Sequence, residues 1–316
     1  CDQMDDDDLL DEVDRLARQG ARLTRSFTTT PVCSPSRAGL VTSRYGTEVG
    51  ITDWISPRAE PELGLDPSTT TWMEVLAQTG YRNGLVGKWH LGTEDRFHPT
   101  AMGYHYFMGF REGGTRVADP TLEVDGESKP FEGFTVNILT DHALEFIRDN
   151  KHRPFVLSLH YRAPHAPWLP LPEEDWAPFR DMDPKLPAPD FPGLLVDKMK
   201  RVMREYLGSV ASVDRNVGRV LDLLDELKLA DETLVIFTSD HGYNVAHHGL
   251  QYKGNAFWRV EEPPPGTEFV PRGRRPNMFD TSLLTPTAVR WPGVVEPGMV
   301  IRETISNLDW FPTLLD

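Results

Sequence analysis

Cysteine is scarce in this 316-residue chain: only Cys1 and Cys33 occur, which excludes a disulfide-stapled scaffold. Long apolar runs are lacking too. No stretch approaches the roughly 18 apolar residues of a membrane span, so no transmembrane segment is expected. Positive charge is in short supply, with 33 Lys and Arg against 48 Asp and Glu and a formal net charge of -15. That balance argues against a general nucleic-acid or polyanion-binding surface, which is basic. It leaves room for a small cationic pocket. No internal repeat is present, and neither an initiator Met nor a leader stands before Cys1-Asp2-Gln3. Both ends read as cut, which leaves the compartment open.

What is there is an ordinary globular composition, 39% hydrophobic and 26% charged, in a length that suits one large domain or two modest ones. Thr71 to Thr79 reads as a short amphipathic helix stopped by Gly80. Leu85-Val86 is a short apolar run entering Gly87-Lys88-Trp89-His90-Leu91-Gly92. Pro154 to His160 is compact and apolar, the pattern of a buried strand. Arg162 to Pro192 is dense in proline and reads as an irregular surface excursion. Leu194 to Leu229 carries the longest helical periodicity, with Val213, Val217, Leu221 and Leu224 on one face. Thr233 to Thr238 follows as a β-branched run of the kind found in buried parallel strands, leading into Asp240-His241-Gly242. Glu261 to Pro276 reads as a loop, and Thr287 to Arg290 as a further strand. Helices alternating with short apolar strands give an α/β layered fold with a largely parallel sheet. Polar clusters just after apolar runs fit ligand binding beyond the strand ends.

A lone cysteine is most often a small core residue. Cys33, however, opens Cys33-Ser34-Pro35-Ser36-Arg37-Ala38-Gly39-Leu40, with Arg44 beyond. This string resembles the signature of the formylglycine-dependent sulfatases, relatives of alkaline phosphatase. Gly87-Lys88-Trp89-His90 resembles the second signature of that family, and Ala163-Pro164-His165-Ala166-Pro167 its Pro-His loop. Taken singly, these are a solvated loop and an exposed histidine. Asp240-His241 and Asp2-Gln3 are ordinary turn formers alone; together they are similar to the two halves of the family's metal site. Lys253 in Gly249-Leu250-Gln251-Tyr252-Lys253-Gly254 resembles a sulfate-binding lysine. The likeness continues to Asn307-Leu308-Asp309-Trp310-Phe311-Pro312-Thr313.

The resemblance implies an alkaline-phosphatase-like α/β/α domain over residues 1–316 with a large, mostly parallel central sheet. Its first strand and the smaller C-terminal domain would lie outside the chain. It implies that a maturation enzyme oxidises Cys33 to formylglycine, whose hydrate attacks a small-molecule or carbohydrate sulfate ester. Its second hydroxyl then allows sulfate to leave by carbon–oxygen cleavage. Arg37 and Lys88 would orient that nucleophile, and Lys88, His165 and Lys253 would bind the sulfate. His165 would serve as leaving-group acid and His90 as base. Asp2, Gln3, position 33, Asp240 and His241 would hold one divalent cation, with calcium expected and magnesium or manganese as alternatives. Gln3 and His241 depart from the Asp and Asn of many members. They keep open a phosphonate or phosphate ester hydrolase, and an unmodified Cys33 would leave a non-catalytic binder of sulfated ligands. His160 is equally readable as a core histidine or as a neighbour of the site. His247 and His248 read as a pocket rim, and Trp168, Trp176 and Trp258 as candidate stacking platforms.

Overall fold

The computed structural model describes residues 10–270 and 273–316. Asp2, Gln3 and the acidic run Asp5 to Asp8 fall outside the described residues. Eight α-helices and fifteen strands alternate over the described residues. The helices that matter here are α1 (Asp11–Arg18), α2 (Cys33–Thr42), α3 (Trp72–Gln78), α4 (Thr135–Asn150), α5 (Glu173–Arg180) and α6 (Val196–Glu226). The strands of two main sheets are β1 (Ala21–Leu23), β3 (Arg82–Lys88), β4 (Tyr106–Phe110), β5 (Thr121–Val124), β6 (Glu127–Pro130), β7 (Phe155–His160), β8 (Val235–Phe237), β13 (Thr287–Arg290) and β14 (Met299–Ile301). A short pair, β2 (Ser26–Phe27) with β15 (Ile305–Ser306), stands apart. So does a four-stranded antiparallel sheet of β9 (Asn244–Val245), β10 (Leu250–Tyr252), β11 (Asn255–Trp258) and β12 (Arg274–Pro276).

The layered α/β architecture follows from strand alternation. Successive residues of a strand face opposite sides. Leu85 of β3 and Phe107 of β4 turn toward Ala38, Val41, Trp72 and Met73 of α2 and α3. Their neighbours Val86 and Met108 turn the other way, onto Ile138 and Leu139 of α4. Both faces are thus covered by helices, and burying each such Leu or Val contributes roughly 1.5–3 kcal/mol. Helix α3 starts where the sequence suggests: Thr71 and Glu74 form a capping box, with the Thr71 N–H donating to Glu74 Oε2 at 2.8 Å.

The sheet is less uniformly parallel than helix–strand alternation suggests. Parallel pairing runs through β4-β3-β7, and the β5–β6 hairpin adds antiparallel strands at one edge. The second sheet has the order β14-β1-β13-β8, in which β8 pairs antiparallel with β13. Strands β7 and β8 share one helix layer, because Phe155, Leu157 and Val235 all pack on Leu144, Ile147, Leu223 and Leu224 of α4 and α6. Neither has a second partner strand among the described residues. Every residue of both is accordingly half-buried, where the sequence suggested fully buried strands.

Two segments read as loops contain regular structure. Residues 162–192 hold α5, whose first turn carries Glu173, Glu174 and Asp175, the charge that a helix N-terminus favours. Buried Asp175 accepts hydrogen bonds from Ser212 Oγ (2.6 Å) and Arg215 Nη2 (2.7 Å) and so fastens α5 to α6. Strand β12 closes the 261–276 segment by pairing with β11.

Candidate active site

Cys33 opens α2. Val32 is extended and the chain enters the helix at Cys33. Pro35 in the first turn has no N–H to leave unpaired. The Sγ therefore sits at a helix N-terminus, where free amides and the helix dipole favour an anion. Every residue of α2 except Leu40 is buried. Asn307 fixes the helix in place: its Nδ2 donates to the Ser36 carbonyl (2.8 Å) and its Oδ1 accepts from the Thr29 N–H (3.0 Å). Gly39 permits this approach, since a Cβ there would stand 3.1 Å from Leu308 and 3.2 Å from Asn307.

Cations converge on Cys33 from distant parts of the chain. Lys253, in the turn between β10 and β11, donates from Nζ to Sγ at 2.9 Å. His241 Nε2 lies 3.4 Å from the same sulfur. Burial pushes the Cys33 thiol up, but the charges of Lys88, Lys253 and His241 outweigh it and hold the group well below its ordinary value. Lys88 closes β3 and is buried; that burial, the largest influence, lowers its own proton affinity.

Arg37 ties the site's walls together. Its Nε donates to Asp240 Oδ2 at 2.9 Å and its Nη1 to the Lys88 carbonyl at 2.9 Å, and His160 Nδ1 lies 3.2 Å from the same Nη1. Asp240 follows β8 and His160 ends β7, so one guanidinium spans the facing edges of the two sheets. Although burial opposes ionisation of Asp240, the His241 and Arg37 charges hold its carboxyl well below the usual range. The Ser36 hydroxyl caps the Asp240 carbonyl. Burial, then the Arg37 charge, depresses His160 to about 3, so its imidazole is neutral, with Nδ1 3.1 Å from the Lys88 carbonyl and 3.2 Å from Arg37 Nη1.

His90 and His165 face the same pocket with defined tautomers. A carbonyl oxygen only accepts. His90 Nε2 therefore donates to the Ile55 carbonyl (3.0 Å), leaving buried Nδ1 as a lone pair without a partner among the described residues. Burial lowers its proton affinity, and its backbone is left-handed (φ 62). Gly113 makes room for the ring, since a Cβ there would fall 2.7 Å from His90 Cε1. In His165, Nδ1 donates to the Ala166 carbonyl (2.7 Å). Burial, then Lys253 and Lys88, depresses this imidazole to about 4.

The donor atoms of Cys33, Asp240 and His241 lie within 4.8 Å of one another. His241 Nδ1 donates to the Gly242 carbonyl (2.8 Å), which orients Nε2 toward Cys33 and Asp240. An anionic carboxylate beside an oriented imidazole fits a divalent cation. Asp2 and Gln3, the other expected ligands, lie outside the described residues.

The structure thus brings Cys33, Arg37, Lys88, Asp240, His241 and Lys253 into one network, with His90 and His165 bordering it. Histidine 160 joins it through Arg37, which resolves the even reading from sequence. Asn307 and Gly113 were not singled out as site residues: their only signals were the Asn307 to Thr313 string and a Gly-Gly pair. Trp168 is not a stacking platform; it is buried against Tyr206 and Tyr243, with Nε1 donating to the Pro164 carbonyl (2.8 Å). His248 rests on Phe279 with ring centroids 4.5 Å apart.

Comparison with known proteins gives the same direction. The sequence profile of the Sulfatase family matches residues 5–316. Steryl-sulfatase of Mus musculus is 29% identical over 385 aligned residues, which cover 96% of this chain and 57% of that protein. The chain therefore spans little more than half the length of that relative. Among solved structures, Ps i-CgsB in complex with k-i-k-neocarrahexaose superposes with a TM-score of 0.78 at 24% identity, covering 98% of this chain and 66% of that one. The phosphonate monoester hydrolase SpPMH from Silicibacter pomeroyi gives 0.64 at 22% identity, over 97% and 68%.

Proposed function

The chain belongs to the sulfatase family, and we propose that it hydrolyses a sulfate monoester with residue 33 as the nucleophile, once Cys33 has been oxidised to formylglycine by a maturation enzyme. Residues 1–316 would form the catalytic domain. The observation that carries this reading is the placement of Cys33 Sγ at the α2 N-terminus, 2.9 Å from Lys253 Nζ and 3.4 Å from His241 Nε2. The sulfur marks where the oxygens of the hydrated aldehyde would stand.

Each neighbour then has a task that its chemistry suits. Lys88 and Lys253 are compact buried charges that bind the sulfate oxygens and stabilise charge developing on them. Arg37 holds Asp240 and the Lys88 backbone in register with position 33. His90, neutral with a free Nδ1 lone pair, takes the proton from the second hydroxyl. Burial, then the charges of Lys253 and Lys88, keeps His165 neutral. The negative charge of a sulfate ester beside those lysines offsets their repulsion, so the imidazole would take up a proton from solvent as the substrate binds and pass it to the leaving alcohol. Position 33, Asp240 and His241, with Asp2 and Gln3, would hold a divalent cation, calcium being expected. When bound, such an ion supplies Lewis-acid polarisation of the sulfate and the hydrate.

The resemblance to a phosphonate monoester hydrolase keeps a second substrate class in view, since a tetrahedral oxyanion of either element suits the same lysines. Paired kinetics on an aryl sulfate and an aryl phosphonate, with intact mass to follow maturation, decide the matter. Oxidation of Cys33 lowers the mass by about 18 Da, and only that species is expected to turn over the sulfate. Turnover by protein whose Cys33 remains a thiol would overturn the nucleophile assignment. Strong phosphonate turnover without sulfatase activity would overturn the substrate class.

A further inference from the structure

A positive surface beside the pocket has no part in the chemistry above. Strand β10 runs directly into Lys253, and β11 and β12 continue the same antiparallel sheet. In the β10–β11 register Gln251 lies opposite Phe257, and in the β11–β12 register Phe257 lies opposite Arg274. The Arg274 guanidinium stands 5.5 Å from the Phe257 ring centroid, and that of Arg259 stands 5.7 Å from it and 6.0 Å from the Tyr252 ring. Two cationic heads thus converge on one aromatic side chain.

Among the described residues no carboxylate neutralises their charge. Arg259 donates from Nε to the neutral amide oxygen of Gln251 (2.6 Å) and from Nη1 to the Trp258 carbonyl (3.4 Å). Neither Arg259 nor Arg274 forms an ion pair with a carboxylate among the described residues, in a chain that carries 48 acidic ones. Arg274 is exposed and makes no side-chain hydrogen bond among them. Two guanidinium groups near one ring repel each other, an anion bound to both would relieve that repulsion, and their N–H groups match the planar or tetrahedral oxygens of such an anion. The site is mechanically joined to the pocket: Asn277, just after β12, donates from Nδ2 to the Lys253 carbonyl and from its backbone N–H to that of Gly254, both at 2.9 Å. Gln251 is two residues from Lys253, roughly 7 Å along the strand.

We propose that Arg259 and Arg274, set against Phe257, form a second anion subsite that recognises a sulfate or carboxylate on the leaving-group side of the substrate. The substrate class is then an ester with at least two anionic groups, one cleaved and one held. This inference rests on the sulfate-ester reading above. It also qualifies the expectation from net charge: a polyanion is disfavoured by the molecule as a whole and admitted at this edge.

Steady-state kinetics of the matured protein and of Arg274→Gln and Arg259→Gln test the proposal. The substrates are 4-nitrophenyl sulfate, a disulfated disaccharide, and a monosulfated disaccharide bearing a uronic carboxylate. Loss of one charge-assisted contact should raise KM for the dianionic substrate by about ten-fold with kcat little changed. Turnover of 4-nitrophenyl sulfate should be unaffected, and the disaccharide whose KM moves identifies the anion. Equal effects on all three substrates, or none on either disaccharide, would overturn the subsite. If nothing is hydrolysed, the hydrolase reading fails, and calorimetric titration of both disaccharides into wild type and Arg274→Gln decides the subsite separately. A dissociation constant about ten-fold weaker in the variant supports it. Equal affinities, or no binding of either disaccharide to wild type, overturn it.

Discussion

Replacing Arg37 by methionine would remove the one group that joins α2, β3, β7 and the end of β8. The Arg37 side chain is 10% exposed and that of Asp240 17%, with Nε and Oδ2 2.9 Å apart. Breaking a buried pair from one side leaves an uncompensated charge, which costs about 3–5 kcal/mol. For a domain of this size the loss corresponds to a midpoint lower by roughly 6–20 °C, at about 2–4 °C per kcal/mol. The measurement is urea unfolding in EDTA, so that no metal ion joins Arg37, His241 and Lys88 in compensating Asp240, with the m-value compared between variants. Arg37→Met combined with Asp240→Asn should lose less than the sum of the two single variants, because the stranded carboxylate is gone. Arg37→Lys keeps the charge but not the fork, so it should lose less stability while still failing to support full activity. A loss below about 1 kcal/mol for Arg37→Met, well short of the range for a broken buried pair, would refute the reasoning, as would strict additivity in the double variant.

Acid should destabilise the fold before its carboxylates titrate. His160 and His165 are held at about 3 and about 4 against roughly 6.5 in an unfolded chain. The unfolded state therefore binds more protons below pH 6.5. The stability these groups contribute is complete above that pH and falls as pH drops toward their folded values, by about 2 kcal/mol apiece at pH 5. A urea midpoint unchanged between pH 7.5 and 5 would contradict this. Gly87→Ala should cost at least about 3 kcal/mol, large for a single substitution. Gly87 has φ 115, and a Cβ there would lie 2.0 Å from the His160 carbonyl oxygen; a variant with wild-type midpoint would show that the strand pair yields freely. Chelation should abolish turnover and calcium restore it, whereas Asp240→Asn should weaken calcium binding in titration calorimetry. Unaltered activity after chelation would remove the cation from the scheme.

The chemistry-bearing residues were more legible in the sequence than the sheet that carries them. Cys33, Lys88, His165 and Asp240 stand in short strings whose order survives any detail of strand pairing. Pairing itself depends on partners far away in sequence: nothing local to Val235–Phe237 says that it will lie antiparallel to β13. The capping box at Thr71 and the periodicity of α6 were readable because both are local, within one or a few turns. The β9–β12 sheet was not, since its strands are two to four residues long and punctuated by glycine. Positioning residues such as Asn307 are invisible for a related reason: an asparagine acquires its meaning only from the backbone atoms it meets, here 271 residues away at Ser36.

The burial of Cys33 has a consequence for when it can be modified. The residue is 2% exposed and its sulfur is held by Lys253, which is 220 residues further along the chain. A maturation enzyme of the kind proposed would find this thiol buried once the described residues have folded around it. It would have a route to it on a growing chain, because at about 5–20 residues per second the interval between synthesis of the two positions is on the order of 10–45 s. On the proposed formylglycine reading the pocket would also be a clock: the last lysine to arrive would end the period in which its own nucleophile can be made.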